Sequence, residues 1–372
     1  MKKIGLATFF TPINHGARLQ AFALQNAIDS TGARCELLNY VPVTQRKARN
    51  KSFKLNAKGL YNAAVEAVCG RSLALGEERF RQFDANYRLT PELGDDFAQN
   101  DALDSFDAFV CGSDQIWARV YEDFFFLDFV KPPRKRVAYA PSFGTSSVAE
   151  EDKSAYRARL EKFDFLSVRE IEGAAIIRDL ISKDVPVVLD PTLLLSAADW
   201  KKWQKEPARP FPEKYILLYA VQNTTPCLEV AKQVQKLLNL PIIGVDLSKR
   251  LAFNPATKNR YDLGPQEWLT AFDRASYVVT SSFHGTAFAV NYGKPFLTVC
   301  QGNAARNSNS RMTSLSKLIG LDDRLVFPGA KIESATLESD LSSALARLEN
   351  EREKSLTYLR TALDSVEARD PS

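Results

Sequence analysis

The sequence has 372 residues, of which 45% are hydrophobic and 25% charged, as in globular proteins long enough for two domains. Its 49 basic and 45 acidic side chains leave a net charge of +4, which gives no overall reason to expect nucleic-acid binding. No apolar run reaches the roughly 18 residues of a membrane-spanning helix.

The cysteines and histidines narrow the possible chemistry. Five scattered cysteines form no CxxC pair, so we expect neither a disulfide framework nor a zinc site, and a reducing, cytoplasmic location. His15 and His284 are the two histidines of the chain, which excludes a histidine-rich metal site. We expect no metal.

Apolar strands and helical stretches alternate along the first half of the chain. Strands are predicted over residues 3–10, 35–40, 106–112, 137–144, 163–170 and 185–190. Helices are predicted over 17–29, 60–68, 76–86, 151–162 and 172–182. Nearly continuous apolar strands separated by helices indicate a parallel sheet covered on both faces.

The pattern restarts after a linker. Residues 205–213 contain three prolines and are typical of an interdomain connection. Beyond them, strands are predicted over 214–221, 240–247, 276–282 and 295–300, with helices over 227–238, 265–274, 284–291 and 311–319. We therefore predict two doubly wound, Rossmann-like α/β domains facing a cleft, residues 1–204 and 214–330, followed by amphipathic helices over 331–372.

The basic charge is uneven. Between Val41 and Val65 lie six cations and no acid, concentrated in residues 41–59. A solvated loop is the simpler interpretation. The alternative is peripheral contact with the inner face of a membrane or with a lipid-phosphate carrier.

Ligands of such sheets bind beyond the carboxyl ends of the strands, so polar residues there are the candidates. After the first strand come Asn14, His15 and Gly16, where glycine permits close approach of a ligand and the helix start favours an anion. The alternative is a turn capped by Asn14.

Two further strand ends in this half carry polar residues. Ser113, Asp114 and Gln115 precede Trp117, and an aromatic face beside hydrogen-bonding groups suits a sugar ring, with Asp114 as a base or hydroxyl acceptor. Ser142 ends the next strand. Structural turns are the alternative for each.

Arg169 ends a predicted buried strand, where its planar fork suits a carboxylate or phosphate. Pairing only with Glu170 or another carboxylate is the alternative. Asp190 follows the next strand, and we interpret it chiefly as structural.

The second domain carries the second histidine at a strand end. Ser281, Ser282, His284 and Gly285 would open a helix, where backbone amides favour an anion and an imidazole can move a proton near neutral pH. Lys294, Arg306 and Arg311 add cations downstream. A phosphorylated, carboxylated donor or a nucleotide diphosphate fits these groups, and a structural histidine is the alternative.

Six segments in order resemble the polysaccharide pyruvyl transferase family. They are residues 14–21, 112–117, 139–144, 167–170, 190–194 and 281–285, within roughly residues 1–325. The resemblance implies the two-domain GT-B fold, no cofactor, and transfer of a pyruvyl group from phosphoenolpyruvate to two hydroxyls of a saccharide acceptor. The products would be a cyclic ketal and phosphate.

Site roles follow from the same resemblance, which implies that residues 1–204 form the acceptor side and residues 214–330 the donor side. Family members often carry arginine where this chain has Ser282, and Arg169, Lys294, Arg306 and Arg311 are the candidates to replace its charge. His284, Asp114 and Arg169 are the predicted catalytic residues. The predicted donor contacts are Arg169, Ser281, Ser282, His284, Gly285, Lys294, Arg306 and Arg311. The predicted acceptor contacts are Asn14, His15, Gly16, Ser113, Asp114, Gln115, Trp117 and Ser142.

Two other functions stay open at this point. A nucleotide-sugar glycosyltransferase of the same architecture would use the same anion-binding strand ends. A non-catalytic saccharide-binding protein is favoured by Ser282 in place of arginine and disfavoured by His284, Arg169 and Asp114. The basic segment agrees with a glycan acceptor linked to a lipid pyrophosphate.

Overall fold

The structure, a computed structural model, describes residues 1–11, 13–42, 57–118, 123–221, 224–246, 248–302 and 309–368. Its first sheet is parallel, with the strand order β2-β1-β3-β4. These strands are β1 (Lys3–Ala7), β2 (Arg34–Leu37), β3 (Ala108–Cys111) and β4 (Lys135–Ala138). Their apolar residues are buried because helices cover both faces of the sheet.

The last two strands predicted for this sheet are reduced to its irregular edge. Single parallel bridges join Val137 to Phe165 and Val168 to Val187. Pro186 lies within the outer segment and has no amide hydrogen to donate, which disfavours a regular ladder there. The edge nevertheless carries Arg169 and Asp190 to the carboxyl ends of the neighbouring strands.

The second sheet is also parallel, with the order β10-β9-β8-β5-β6-β7. Its strands are β5 (Ile216–Ala220), β6 (Ile242–Asp246), β7 (Thr257–Asn259), β8 (Tyr277–Thr280), β9 (Phe296–Val299) and β10 (Leu325–Val326). All five residues of β5 are buried, as expected for a central strand. The two sheets confirm the predicted fold class.

Helices follow most strands. In the first half they are α1 (His15–Asp29), α2 (Ala57–Asp84), α3 (Lys153–Leu160), α4 (Ile171–Ile181) and α5 (Ala197–Lys201). In the second half they are α6 (Thr224–Leu238), α7 (Pro265–Arg274), α8 (Phe283–Asn291), α9 (Ser310–Ile319), α10 (Ser334–Leu337) and α11 (Ser342–Asp364). The prediction of two helices over 60–68 and 76–86 is wrong, because both lie in the single helix α2. Gly70 lies inside this helix, and one glycine does not end a helix. Within the described residues, no helix has both the length and the apolarity to cross a membrane.

The last helix returns to the first sheet. Tyr358 of α11 donates its hydroxyl hydrogen to the Ala138 carbonyl at 3.0 Å, and Ser355 Oγ accepts from the Leu189 amide at 3.0 Å. Lys2 Nζ donates to the Leu363 carbonyl at 2.9 Å. The chain thus crosses between the two halves a second time.

Helix α1 joins the two halves from the other side. Phe22 of α1 contacts the Trp200 ring, which in turn contacts Phe288 of α8. At the start of α1, His15 stacks on Trp268 of α7 with ring centroids 5.4 Å apart. Close approach of Gly16 in α1 to the His284 ring in α8 places the amino termini of these two helices side by side at the cleft.

Candidate active site

A cavity of about 200 Å³, here called the interdomain cavity, lies between the carboxyl ends of the two sheets. Asn14, Asp114 and Gln115 line it from the first half, with Ser281, Ser282, His284 and Arg311 from the second. Seven of the predicted site residues therefore meet at one place. Val221, Phe283, Gln301 and Met312 complete its wall, and no sequence signal singled out these four.

His284 is the second residue of α8 and is buried at the cavity. Its Nε2 lies 3.7 Å from Oδ2 of Asp190 and has no hydrogen-bond partner among the described residues. Burial lowers the pKa of His284, while the carboxylates of Asp190 and Asp114 act in the opposite direction. The free imidazole is therefore mainly neutral near pH 7, and an anion bound beside it would raise its pKa.

Gly16 brings α1 against this imidazole. A Cβ atom at Gly16 would lie 2.1 Å from Nδ1 of His284, so any larger residue would displace the ring. We predicted that glycine here admits a ligand, and the structure corrects this, because the close approach is to a side chain. Gly16 fixes the position of His284.

Asp190, which we interpreted chiefly as structural, lies at the centre of a buried network. Its Oδ1 accepts from the amide and hydroxyl of Thr192 at 3.0 and 2.8 Å. Its Oδ2 accepts from Nη1 of Arg169 at 2.5 Å and from Ser113 Oγ at 3.2 Å. Burial alone would raise the pKa of Asp190, but His284, Arg169 and these hydrogen bonds hold it below its ordinary value. The sequence feature that pointed to Asp190 is its position as the first residue of the 190–194 segment, directly after the edge of the first sheet.

Arg169 lies behind the cavity wall. Its guanidinium carbon is 4.6 Å from the Phe283 ring centroid, and its Nη2 is 3.6 Å from Oδ1 of Asp114. Burial opposes its charge, but Asp190, Asp114 and Glu170 raise the pKa of Arg169 above its ordinary value. The prediction that Arg169 contacts a donor directly is not supported by this arrangement, because its side chain is only 1% exposed. It acts on the cavity through Asp190 and Asp114.

Arg311, on α9, is the cation that lines the cavity together with Ser282. Its Nε is buried and makes no hydrogen bond to any described residue. Burial and the nearby Arg169 lower the pKa of Arg311 to about 10, so it remains charged near neutral pH. Arg311 therefore places a positive charge in the same cavity as Ser282.

The remaining wall comes from the first half. Asn14 caps α1, its Oδ1 accepting from the Ala17 amide at 3.2 Å. Asp114 has a left-handed backbone (φ 68°), and its Oδ1 accepts from the Gln115 amide at 2.9 Å. Gly144 (φ 66°) leaves room for Gln115, since a Cβ there would lie 2.2 Å from Nε2. Asp114 and Gln115 thus present polar atoms opposite Arg311.

Three predicted acceptor contacts belong to the core instead. Trp117 is fully buried, stacks on Phe126 with centroids 5.4 Å apart, and donates Nε1–H to the Phe125 carbonyl at 3.1 Å. Ser113 and Ser142 are also fully buried. Ser113 donates to the Ala140 carbonyl at 2.7 Å and supports Asp190, so none of the three faces the interdomain cavity.

Two predicted donor contacts also lie elsewhere. A Cβ at Gly285 would lie 2.1 Å from Oγ1 of Thr280, so this glycine lets α8 pack closely on β8. Lys294 lies three residues beyond the far end of α8, which is itself about 10 Å along the helix from His284, and its charged neighbours are Asp273 and Lys201. Arg306 lies outside the described residues.

His15 does not reach the interdomain cavity. It is 2% exposed, and its Nε2 donates to the Leu263 carbonyl at 3.0 Å, which leaves Nδ1 as an unprotonated acceptor. Burial lowers the pKa of His15 from 6.5 to about 4, an effect that this hydrogen bond opposes. His15 is therefore neutral in the folded protein and titrates in the unfolded chain.

This difference predicts a pH-dependent stability. Below pH 6.5 His15 is protonated in the unfolded chain but stays neutral in the folded protein. This residue should therefore lower the free energy of unfolding by about 2 kcal/mol between pH 7 and pH 5. The measurement is urea unfolding of the wild type and His15→Gln at both values. The variant should lose correspondingly less stability on acidification, and an equal loss in both proteins would contradict the assignment.

Two Rossmann-like domains meet at a cleft that is lined by a histidine, an arginine and a carboxylate. The family model for polysaccharide pyruvyl transferase matches residues 14–299. The chain belongs to that family and is a transferase acting on polysaccharides.

Solved structures with similar folds include glycosyltransferases. SsfS6 from Streptomyces sp. SF2575 is 12% identical (TM-score 0.39), with 99% of this chain and 97% of that one covered. The ADP-heptose LPS heptosyltransferase II of E. coli is 10% identical (TM-score 0.42), covering 95% and 99%. The UDP-GlcNAc 2-epimerase of Methanocaldococcus jannaschii is 11% identical (TM-score 0.48), covering 94% and 92%. No curated protein is significantly similar to the sequence.

Proposed function

We propose that the protein transfers a pyruvyl group from phosphoenolpyruvate to two hydroxyls of one sugar unit in a glycan. The observation that carries this proposal is the convergence of His284, Arg311 and Asp114 on one cavity, with Arg169 and Asp190 directly behind it. The donor carries a carboxylate and a phosphate, and Arg311 is the charged group available to bind one of them. Planar guanidinium groups bind both kinds of anion.

The reaction balances without a cofactor. Protonation of the methylene carbon of phosphoenolpyruvate gives an oxocarbenium-like C2, which the first sugar hydroxyl attacks. The second hydroxyl then displaces phosphate at C2 to close the ketal. The methylene gains one proton and the phosphate leaves with another, and the two sugar hydroxyls supply both.

The residues divide between the two substrates. His284 donates and accepts protons on the donor side or contacts the phosphate, because its free Nε2 has no other partner. Asp114 and Gln115 face the acceptor hydroxyls from the first domain. Asp190 accepts a hydrogen bond from Arg169 and lies 3.7 Å from His284, and we assign it as a positioning residue.

The test is mass spectrometry of glycan acceptors incubated with the protein and phosphoenolpyruvate. We expect the acceptor to gain one pyruvyl ketal and an equal amount of phosphate to be released. Release of free nucleotide from nucleotide sugars, with no reaction of phosphoenolpyruvate, would instead identify a glycosyltransferase.

We also propose peripheral contact with a membrane that presents a lipid-pyrophosphate-linked acceptor. The predicted basic segment, 41–59, lies largely outside the described residues and leads into α2. Along α2, Leu60, Val68 and Leu75 are 62%, 71% and 40% exposed, and their spacing places them on one side of the helix. An exposed apolar stripe that follows a basic run suits an anionic bilayer surface.

Vesicle sedimentation tests this contact. We expect the protein to sediment with vesicles containing phosphatidylserine and to stay in solution with pure phosphatidylcholine. The double variant Leu60→Asp/Val68→Asp should lose most of this binding, since both positions are exposed and their replacement leaves the core intact. Equal behaviour of the two proteins, or no binding by either, would argue against membrane contact through α2.

A further inference from the structure

A second cavity, of about 190 Å³, lies at the carboxyl ends of the next two strands of the second sheet. The interdomain cavity lies at the ends of β9, β8 and β5, whereas Val245 of β6 and Arg260, just after β7, line this second one. Strands β5 and β6 are neighbours, about 4.8 Å apart. Asn14 lines one cavity and His15 the other, so both cavities reach the start of α1. We call this second space the side cavity.

Helix α2 forms the outer wall of the side cavity. Leu73, Gly76 and Phe80 lie at i, i+3 and i+7, on one face of the helix, and all three line the cavity. Gly76 lets α2 pack closely on the backbone of Tyr261, because a Cβ atom at Gly76 would lie 2.2 Å from the Tyr261 carbonyl oxygen. The wall is therefore an apolar surface with one aromatic ring.

Polar groups of both kinds complete the lining. Glu77 supplies a carboxylate acceptor and Lys249 an ammonium donor. His15 also lines the cavity, and its buried Nδ1 has no hydrogen-bond partner among the described residues. A buried acceptor left unpaired is unfavourable, and a ligand hydroxyl would satisfy it.

We infer that the side cavity is a subsite for a sugar unit of the acceptor glycan, next to the unit that receives the pyruvyl group. Sugars combine apolar C–H faces with several hydroxyls, which matches an apolar wall facing a carboxylate, an ammonium and a neutral imidazole. The cavity has room for one small ring. This inference rests on the proposed function, because it places the reacting unit in the interdomain cavity.

A glycan array of defined mono-, di- and trisaccharides tests the subsite without requiring turnover. We expect the protein to bind at least one glycan of two or more units at least tenfold more tightly than its terminal monosaccharide. Glu77→Gln should weaken that binding about tenfold, since hydrogen bonds to a charged group contribute more than neutral ones. Leu73→Trp places a larger side chain in the side cavity, so this variant should bind the longer glycan no more tightly than the monosaccharide.

Matched controls separate this result from general damage. Glu78→Gln changes the neighbouring residue of α2, which pairs with Arg81 and does not line the cavity, and it should bind like the wild type. Equal binding by Glu77→Gln and Glu78→Gln, or no retained glycan at all, would overturn the inference. Thermal stabilisation by phosphoenolpyruvate is measured in parallel. Glycan binding without that stabilisation would contradict the proposed reaction and leave the subsite standing.

Discussion

His284→Ala should lower kcat for ketal formation by about 10²–10⁴-fold, the usual contribution of a positioned proton-transfer group. His284 is the imidazole of the interdomain cavity, and its Nε2 has no hydrogen bond to any described residue. The burial that lowers its pKa keeps the free ring mainly neutral, and donor binding would favour the protonated form that catalysis needs. The alanine side chain has no imidazole, so the variant lacks both the neutral and the protonated form of the ring.

Lys294→Ala is the control for this variant. Lys294 was predicted to bind the donor, but it lies beyond the far end of α8, so its kcat should stay within a few-fold of the wild type. Circular dichroism and urea unfolding show whether each variant is folded. Near-normal turnover by a folded His284→Ala protein would rule out a proton-transfer role for this residue.

Asp190→Asn should destabilise the protein by about 3–5 kcal/mol, the usual cost of removing one partner from a buried ion pair. The carboxylate is fully buried, accepts from Arg169 at 2.5 Å and lies 3.7 Å from His284. Asparagine keeps the shape but leaves the guanidinium with less compensating charge. Activity should also fall, because both neighbours lose the group that positions them.

Asp184→Asn provides the matched comparison. Asp184 also pairs with an arginine, Arg178, at 2.5 Å, but both side chains are largely exposed. An exposed pair contributes at most about 1 kcal/mol, so this variant should unfold nearly like the wild type in urea. If the two Asp→Asn variants lost the same stability, the buried network would not have the importance assigned to it.

Much of the fold could be predicted from the sequence because it depends on local patterns. Runs such as residues 216–220 are short and apolar throughout, which is typical of a strand covered on both faces. The return of α11 to the first sheet could not be predicted in this way. It depends on contacts such as Tyr358 to Ala138, between residues far apart in the chain.

The site was predictable in its location and less so in its members. Asp114 and His284 were predicted as polar residues after buried strands and Arg311 as a downstream cation, and all three line the interdomain cavity. Side-chain direction decided the rest, since Trp117 turns into the core although it lies only three residues after Asp114. Closeness in sequence also misled for Lys294, because α8 carries the chain away from the cavity.

A crystal structure of the protein with phosphoenolpyruvate would test the central claim most directly. We expect the donor in the interdomain cavity, with one of its anionic groups within hydrogen-bond distance of Arg311 and with His284 beside the phosphate or the methylene carbon. Donor bound elsewhere, or an empty cavity at saturating phosphoenolpyruvate, would contradict the account.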